Sequence, residues 1–142
     1  MNSESMYEHY GPWALIAGGS EGIGLAFAHL LATQGINLIL LGRTEETLTE
    51  AAKELRSASA VEVQTHALDL TAEDLGLRLD EITSDLEIGL LIYNAGAAHG
   101  AELFHDASLA DALHLVNLNC RGPVVLTHAI GGKMRDRGRG GI

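Results

Sequence analysis

The sequence predicts an α/β chain, an open sheet of parallel strands with helices packed on its faces. Two observations predict it. Short apolar runs recur four times, at 13–17, 37–41, 61–67 and 88–93, each followed by a longer stretch that reads as helix. These runs are continuous more than alternating, as expected of strands covered on both sides. Right-handed crossovers between parallel strands then leave few topologies, with a doubly wound sheet leading.

Each element has a local reason. The run at 13–17 (Trp-Ala-Leu-Ile-Ala) reads as a buried strand, followed by a glycine-rich turn at 18–24 and an apolar-periodic helix to about Gln34. Gly35 stands where a left-handed helix cap is wanted. After the second strand, Thr44 is expected to cap a helix to about Ser57, with Glu45 and Glu46 favoured by the dipole in its first turn. The stretch 61–67 alternates like a strand near a sheet edge. Thr71-Ala72-Glu73-Asp74 resembles a capping box and is expected to open an acidic helix to about Leu86, its carboxylates a solvated face. The fourth strand, 88–93, leads into Asn94-Ala95-Gly96. Ser108-Leu109-Ala110-Asp111 caps a long last helix to about Arg135. Residues 1–10 read as a loose N-terminal tail, and 1–142 as one domain without repeats or low-complexity tracts.

Composition narrows the function classes. With 46% hydrophobic and 20% charged residues, the chain is globular and not disordered. A net charge of −10 argues against nucleic acid, whose phosphates want a basic face. The single cysteine, Cys120, rules out an internal disulfide and fits a reducing compartment. The histidines (9, 29, 66, 99, 105, 114 and 128) are scattered without metal-site spacing, so no metal is expected. There is neither a signal-peptide pattern nor an apolar run of membrane-spanning length. A cytoplasmic protein is expected.

Seventeen glycines against two prolines direct attention to the turn Ala17-Gly18-Gly19-Ser20-Glu21-Gly22-Ile23-Gly24. Gly18 allows a sharp exit from the strand, Gly22 lets backbone approach a pyrophosphate, and Gly24 lets helix and strand pack closely. The first helical turn offers unpaired amides and a positive dipole end to phosphates. A tight turn with no ligand is the competing reading. Three residues separate Gly18 from Gly22, one more than in the usual dinucleotide fingerprint. In this the sequence resembles the short-chain dehydrogenase/reductase family, whose turn is Thr-Gly-x-x-x-Gly-x-Gly; Ala17 stands where that family usually has Thr. The resemblance implies a Rossmann-type doubly wound parallel sheet, here four strands in the order 3-2-1-4. It places Gly18, Ser20, Gly22, Ile23 and Gly24 at the cofactor.

The second strand ends Leu41-Gly42-Arg43, without the carboxylate that binds ribose hydroxyls in NAD enzymes. A guanidinium pairs bidentately with a 2′-phosphate, so NADP is favoured over NAD. The alternative is an Arg43 that only decorates the next helix, and Glu21 argues mildly against NADP. Three further segments match the family. Asp69-Leu70, by resemblance, lines the adenine pocket, with a plain helix-entry Asp as alternative. Asn94-Ala95-Gly96 resembles the segment in which Asn braces the sheet and the small residues admit the cofactor's sugar. Asn119, in Leu118-Asn119-Cys120-Arg121-Gly122-Pro123, matches an Asn of the catalytic group that relatives complete with Ser, Tyr and Lys. Pro123 has no N–H, so the carbonyl four residues earlier, that of Asn119, is expected to be free for an ordered water. A simple packing kink is the bland alternative.

The family's chemistry rests on Tyr-x-x-x-Lys, but Tyr7, Tyr10 and Tyr93 are followed four residues later by Gly11, Ala14 and Ala97. Lys53 and Lys133 do not supply the pair. The end at Ile142 reads as the threshold of a fifth strand, so a truncated chain is expected. The resemblance implies an oxidoreductase moving a hydride between nicotinamide and a small carbonyl or alcohol substrate, homo-oligomeric when intact, with this fragment inactive alone. Rival readings are a non-catalytic dinucleotide sensor and a methyltransferase. The latter needs an acidic end to the second strand that Gly42-Arg43 does not offer.

Overall fold

The computed structural model describes residues 5–98 and 100–142; His99 and residues 1–4, part of the predicted tail, lie outside the described residues. Four strands, β1 (Trp13–Ala17), β2 (Asn37–Gly42), β3 (Val63–Ala67) and β4 (Ile88–Tyr93), form one parallel sheet. Their order is β3-β2-β1-β4, the order that the resemblance implies. Among the described residues β3 pairs only with β2, which accounts for its mixed polar pattern.

All five residues of β1 are buried because both faces of the sheet are covered. Trp13, Leu15 and Ala17 face one side with Ile39, Leu41 and Leu91. Two helices cover that side, α4 (Leu75–Thr83) through Leu75 and Leu79, and α6 (Gly122–Arg137) through Leu126, Ile130 and Met134. Ala14 and Ile16 face the other side with Leu38 and Leu40. There α2 (Gly22–Thr33) and α3 (Glu45–Ala58) contribute Ala28, Leu31, Leu48, Ala51 and Leu55. Each fully buried Leu or Ile contributes roughly 1.5–3 kcal/mol of transfer free energy, and these two layers fix the sheet. The strands therefore deliver the loops at their C-terminal ends to one edge, where crevices form in such folds.

Several local expectations change. The loose tail expected over 1–10 gives way, from Ser5 on, to helix α1 (Met6–Tyr10). Ser5 accepts from the Glu8 amide at 3.1 Å, and the Glu8 carboxylate accepts from the Ser5 amide at 2.7 Å. The capping box thus lies here and not at Thr71. The Thr71 amide and hydroxyl both donate to Asp69 Oδ1 (2.9 and 2.7 Å), so Thr71 closes a turn and α4 starts later, at Leu75. Thr44 precedes α3 as expected but makes no side-chain cap bond. Ser108 does cap its helix, accepting from the Asp111 amide at 3.0 Å. The long last helix is divided into α5 (Leu109–Val116), a π-helical turn (Asn117–Arg121) and α6.

Among the described residues no helix is long and apolar enough to cross a membrane. Residues 140–142 run beside β4, where Gly141 donates to the Gly89 carbonyl (3.0 Å) and accepts from the Leu91 amide (3.0 Å).

Candidate functional site

At the C-terminal edge of the sheet the turn after β1 meets the loops after β2, β3 and β4. Gly18 has a φ of +79° and its amide donates to the Leu41 carbonyl at 2.8 Å, so the chain leaves β1 in a conformation that favours glycine. A Cβ on Gly18 would also press on the Ala95 amide. A Cβ on Gly24 would overlap the Gly18 carbonyl oxygen, which is the close helix–strand packing read from the sequence. Gly22 differs: its φ is +54° and a Cβ there would meet open space. The first bond from α2 back to the turn is Leu25 to Glu21 (3.2 Å), so the amides of Gly22, Ile23 and Gly24 precede the helical ladder. Such amides at a helix start suit an anion.

These segments enclose an open cleft of about 210 Å³, lined among others by Gly18, Ser20, Arg43, Leu70, Ala95 and Gly96. Six of the sequence-predicted site residues thus share one cleft. Gly22 and Ile23 lie exposed at the helix start, and Gly24 is buried beneath it. Arg43 is exposed and makes no hydrogen bond or ion pair among the described residues. Asp69 does not line the cleft: it is exposed and turned onto Thr71. The Thr71 amide, then its hydroxyl, hold the Asp69 carboxyl below its ordinary range, with His114 and Arg43 adding smaller pulls. Both Thr71 bonds end on Oδ1, so Oδ2 remains for an outside donor.

Asn94 joins the cleft's wall to its floor. Its amide and that of Ala95 donate to the Ala17 carbonyl (2.9 and 2.8 Å), and its side chain donates to the Gly18 carbonyl at 3.4 Å. Beyond that wall, the Asn119 side chain grips the backbone of Ala97, accepting from its amide (3.2 Å) and donating to its carbonyl (2.8 Å).

A sequence model of the family described as short chain dehydrogenase matches residues 12–142. The chain belongs to the short-chain dehydrogenase family. It is 35% identical over 133 residues to a 7beta-hydroxysteroid dehydrogenase of Clostridium sardiniense, covering 94% of this chain and 51% of that protein. It is 33% identical over 140 residues to a very-long-chain 3-oxoacyl-CoA reductase of Pyricularia oryzae, covering 96% and 42%. A short-chain dehydrogenase from Sphingobium yanoikuyae, solved in complex with NADPH, superposes with a TM-score of 0.85 at 31% identity, covering 92% of this chain and 51% of that one. The chain spans about half the length of the curated relatives it matches.

In this short-chain dehydrogenase chain the amide that Pro123 lacks also bears on Leu118, which the sequence did not single out. The Gly122 amide donates to the Asn117 carbonyl, a five-residue step, so the rung that Pro123 cannot make falls on Leu118. The Leu118 carbonyl instead accepts from the Tyr93 hydroxyl at 2.6 Å. Sequence reasoning also missed Thr47, Gly42 and Leu68 as lining residues. Thr47 lies one helical turn beyond Thr44, and its hydroxyl sits 3.5 Å from that of Ser20. A polar residue three places past a helix start beside Arg43 was the available signal. Gly42 and Leu68 carry none in their residue type.

Proposed function

We propose that this chain is the cofactor-binding part of an NADP-preferring short-chain oxidoreductase acting on a carbonyl or alcohol carbon. The observation that carries the preference is Arg43, an exposed guanidinium without an ion pair among the described residues, lining the glycine cleft where a strand-end carboxylate would select NAD. The open space at Gly22 and the three amides before the first helical bond suit a diphosphate. The NADPH bound to the Sphingobium yanoikuyae relative supports a nicotinamide dinucleotide. Bound NADPH supplies the hydride. The chain's own residues do the holding: Gly22 to Gly24 hold the diphosphate, Arg43 the 2′-phosphate, and Leu70 and Ala95 flank the adenosine end. Asp69, between the lining residues Leu68 and Leu70 in sequence, would accept from the adenine amine through Oδ2. Asn119 stands beyond Ala97 at the far end of the cleft wall.

Relatives named for hydroxysteroids and for 3-oxoacyl-CoA support a ketone or secondary-alcohol substrate. No Tyr-x-x-x-Lys pair occurs within these 142 residues, so taken alone they bind cofactor and turn nothing over. The exposed stripe Leu109, Leu113 and Val116 on α5 supports self-association of the whole protein, which we place in the cytoplasm.

Fluorescence titration tests the cofactor reading. NADPH is expected to bind more tightly than NADH, and Arg43→Ala to weaken NADPH about 10–100-fold while sparing NADH, the range of a lost charge-assisted pair. Equal binding of both, unchanged by Arg43→Ala, overturns the preference. Ketone-dependent oxidation of NADPH by the chain overturns its inactivity.

A further inference from the structure

The residue that ends β4 has a part that the dehydrogenase reading does not give it. Tyr93 crosses from the sheet to the last helix, and its hydroxyl donates to the Leu118 carbonyl at 2.6 Å. That carbonyl belongs to a buried residue, within the π-helical turn, and its helical donor would be the nitrogen of Pro123, which carries no hydrogen. Left without a donor, a carbonyl shielded from water loses stability that a hydrogen bond restores. The phenol therefore serves the Leu118 carbonyl in place of the amide that proline lacks. Gly122 makes room for it, since a Cβ there would overlap the Tyr93 hydroxyl.

The π-helical turn holds one more residue than an α-helical turn, and its position sets which way the neighbouring side chains point. A slip of one residue rotates a side chain by about 100°. Asn119 follows Leu118 directly, and its two bonds to Ala97 require its present direction. The chain from Tyr93 to Ala97 thus closes a ring. Its first residue fixes the helix at Leu118, and the helix at Asn119 fixes its last residue. Ala95 and Gly96, between them, line the cleft. Burial pushes the Tyr93 hydroxyl up to about 12, so it stays a donor across the working pH range.

We infer that Tyr93 is a positioning residue: its hydroxyl locks the π-helical turn at Leu118 and so aims Asn119 at the backbone of Ala97, holding the 94–97 wall in register with the helix. The importance of that wall rests on the NADP reading, but the geometry does not, and the test needs no cofactor.

The experiment is amide hydrogen exchange by NMR on the full 142-residue chain, comparing wild type with Tyr93→Phe, Asn119→Ala and the double variant. Tyr93→Phe keeps the ring and removes only the donor. The Ala97 amide is expected to exchange at least tenfold faster in Tyr93→Phe, while the core amides of Ile39 and Leu91 keep their protection. In the Asn119→Ala background, Tyr93→Phe should add nothing at Ala97, because its effect passes through Asn119. Unchanged Ala97 exchange in Tyr93→Phe, or the same acceleration with and without Asn119, overturns the inference. Should Tyr93→Phe lose core protection, the wild-type chain decides: a slowly exchanging Tyr93 hydroxyl proton with a cross-peak to the Gly122 α-protons is expected, and its absence overturns the assignment. An NADPH titration that fails alongside a positive exchange result counts against the cofactor reading and not against this one.

Discussion

The difference between Gly22 and Gly24 shows how two identical residues, two places apart, do unlike work. A methyl group at Gly24 would strike the backbone of Gly18, whereas one at Gly22 would enter the space where a ligand's phosphate is expected. That division was legible from the spacing alone, because the strand, turn and helix leave each glycine one task. The fate of Asp69 was not. Its place after β3 gave no sign that Thr71, two residues on, would hold one of its carboxylate oxygens with an amide and a hydroxyl. Those bonds lower the Asp69 pKa, and the sign of the consequence follows. A carboxyl depressed on folding contributes stability above its ordinary value near 3.8 and loses it as pH falls through the folded value. Thr71→Val removes the hydroxyl bond and keeps the amide. The Asp69 pKa should then rise part of the way back in a carbon-detected NMR titration, and the variant should be less stable than wild type above about pH 4. The gap should close in stronger acid. No rise in the Asp69 pKa would show that the amide bond alone sets it.

Secondary-structure elements were read well where apolar runs and caps agreed, as in β1, β2, β4 and the Ser108 cap. The reading failed where a tertiary partner decided the outcome. Pro123 announced an interruption of the last helix, but its form depended on Tyr93, 30 positions away in sequence, which no local pattern connects to Leu118. In the structure Pro123 occupies the first turn of α6, just beyond the π-helical turn. A proline there meets little resistance, because the Leu118 carbonyl that its missing amide would face in the π-helical register is already engaged by the Tyr93 hydroxyl. Replacing a proline inside a continuous helix by alanine would recover about 3 kcal/mol. Pro123→Ala should therefore change stability by less than about 1 kcal/mol in urea unfolding, since the Leu118 carbonyl is already engaged. A gain near 3 kcal/mol would mean that the proline strains a continuous helix after all.

At the scale of the whole molecule, apolar periodicity and the handedness of crossovers pointed to a doubly wound parallel sheet, and the family resemblance supplied the 3-2-1-4 order that the structure has. The N-terminal helix was not foreseeable, because none of its five residues is fully buried and, beyond Tyr10 packed against the core, it is held by bonds from distant residues. Arg139 donates to the Glu8 carbonyl at 2.8 Å and to the Glu87 carboxylate. Arg137 donates to the Ile88 carbonyl at 2.7 Å, with its Nε 3.5 Å from Glu87. One carboxylate at the start of β4 thus holds two guanidiniums that brace α1, β4 and the segment after α6 together. Exposed pairs contribute little singly, but here loss of the carboxylate also leaves two like charges side by side. Glu87→Gln is expected to cost about 1 kcal/mol at low ionic strength, read from the urea midpoint. Faster amide exchange at Gly11, which donates to the Tyr7 carbonyl at the end of α1, should accompany it. At 1 M salt the Debye length falls to about 3 Å, so most of the difference should vanish. A deficit that persists undiminished in salt would show that Glu87 acts through packing, and an unchanged midpoint at low salt would show that α1 is held without it.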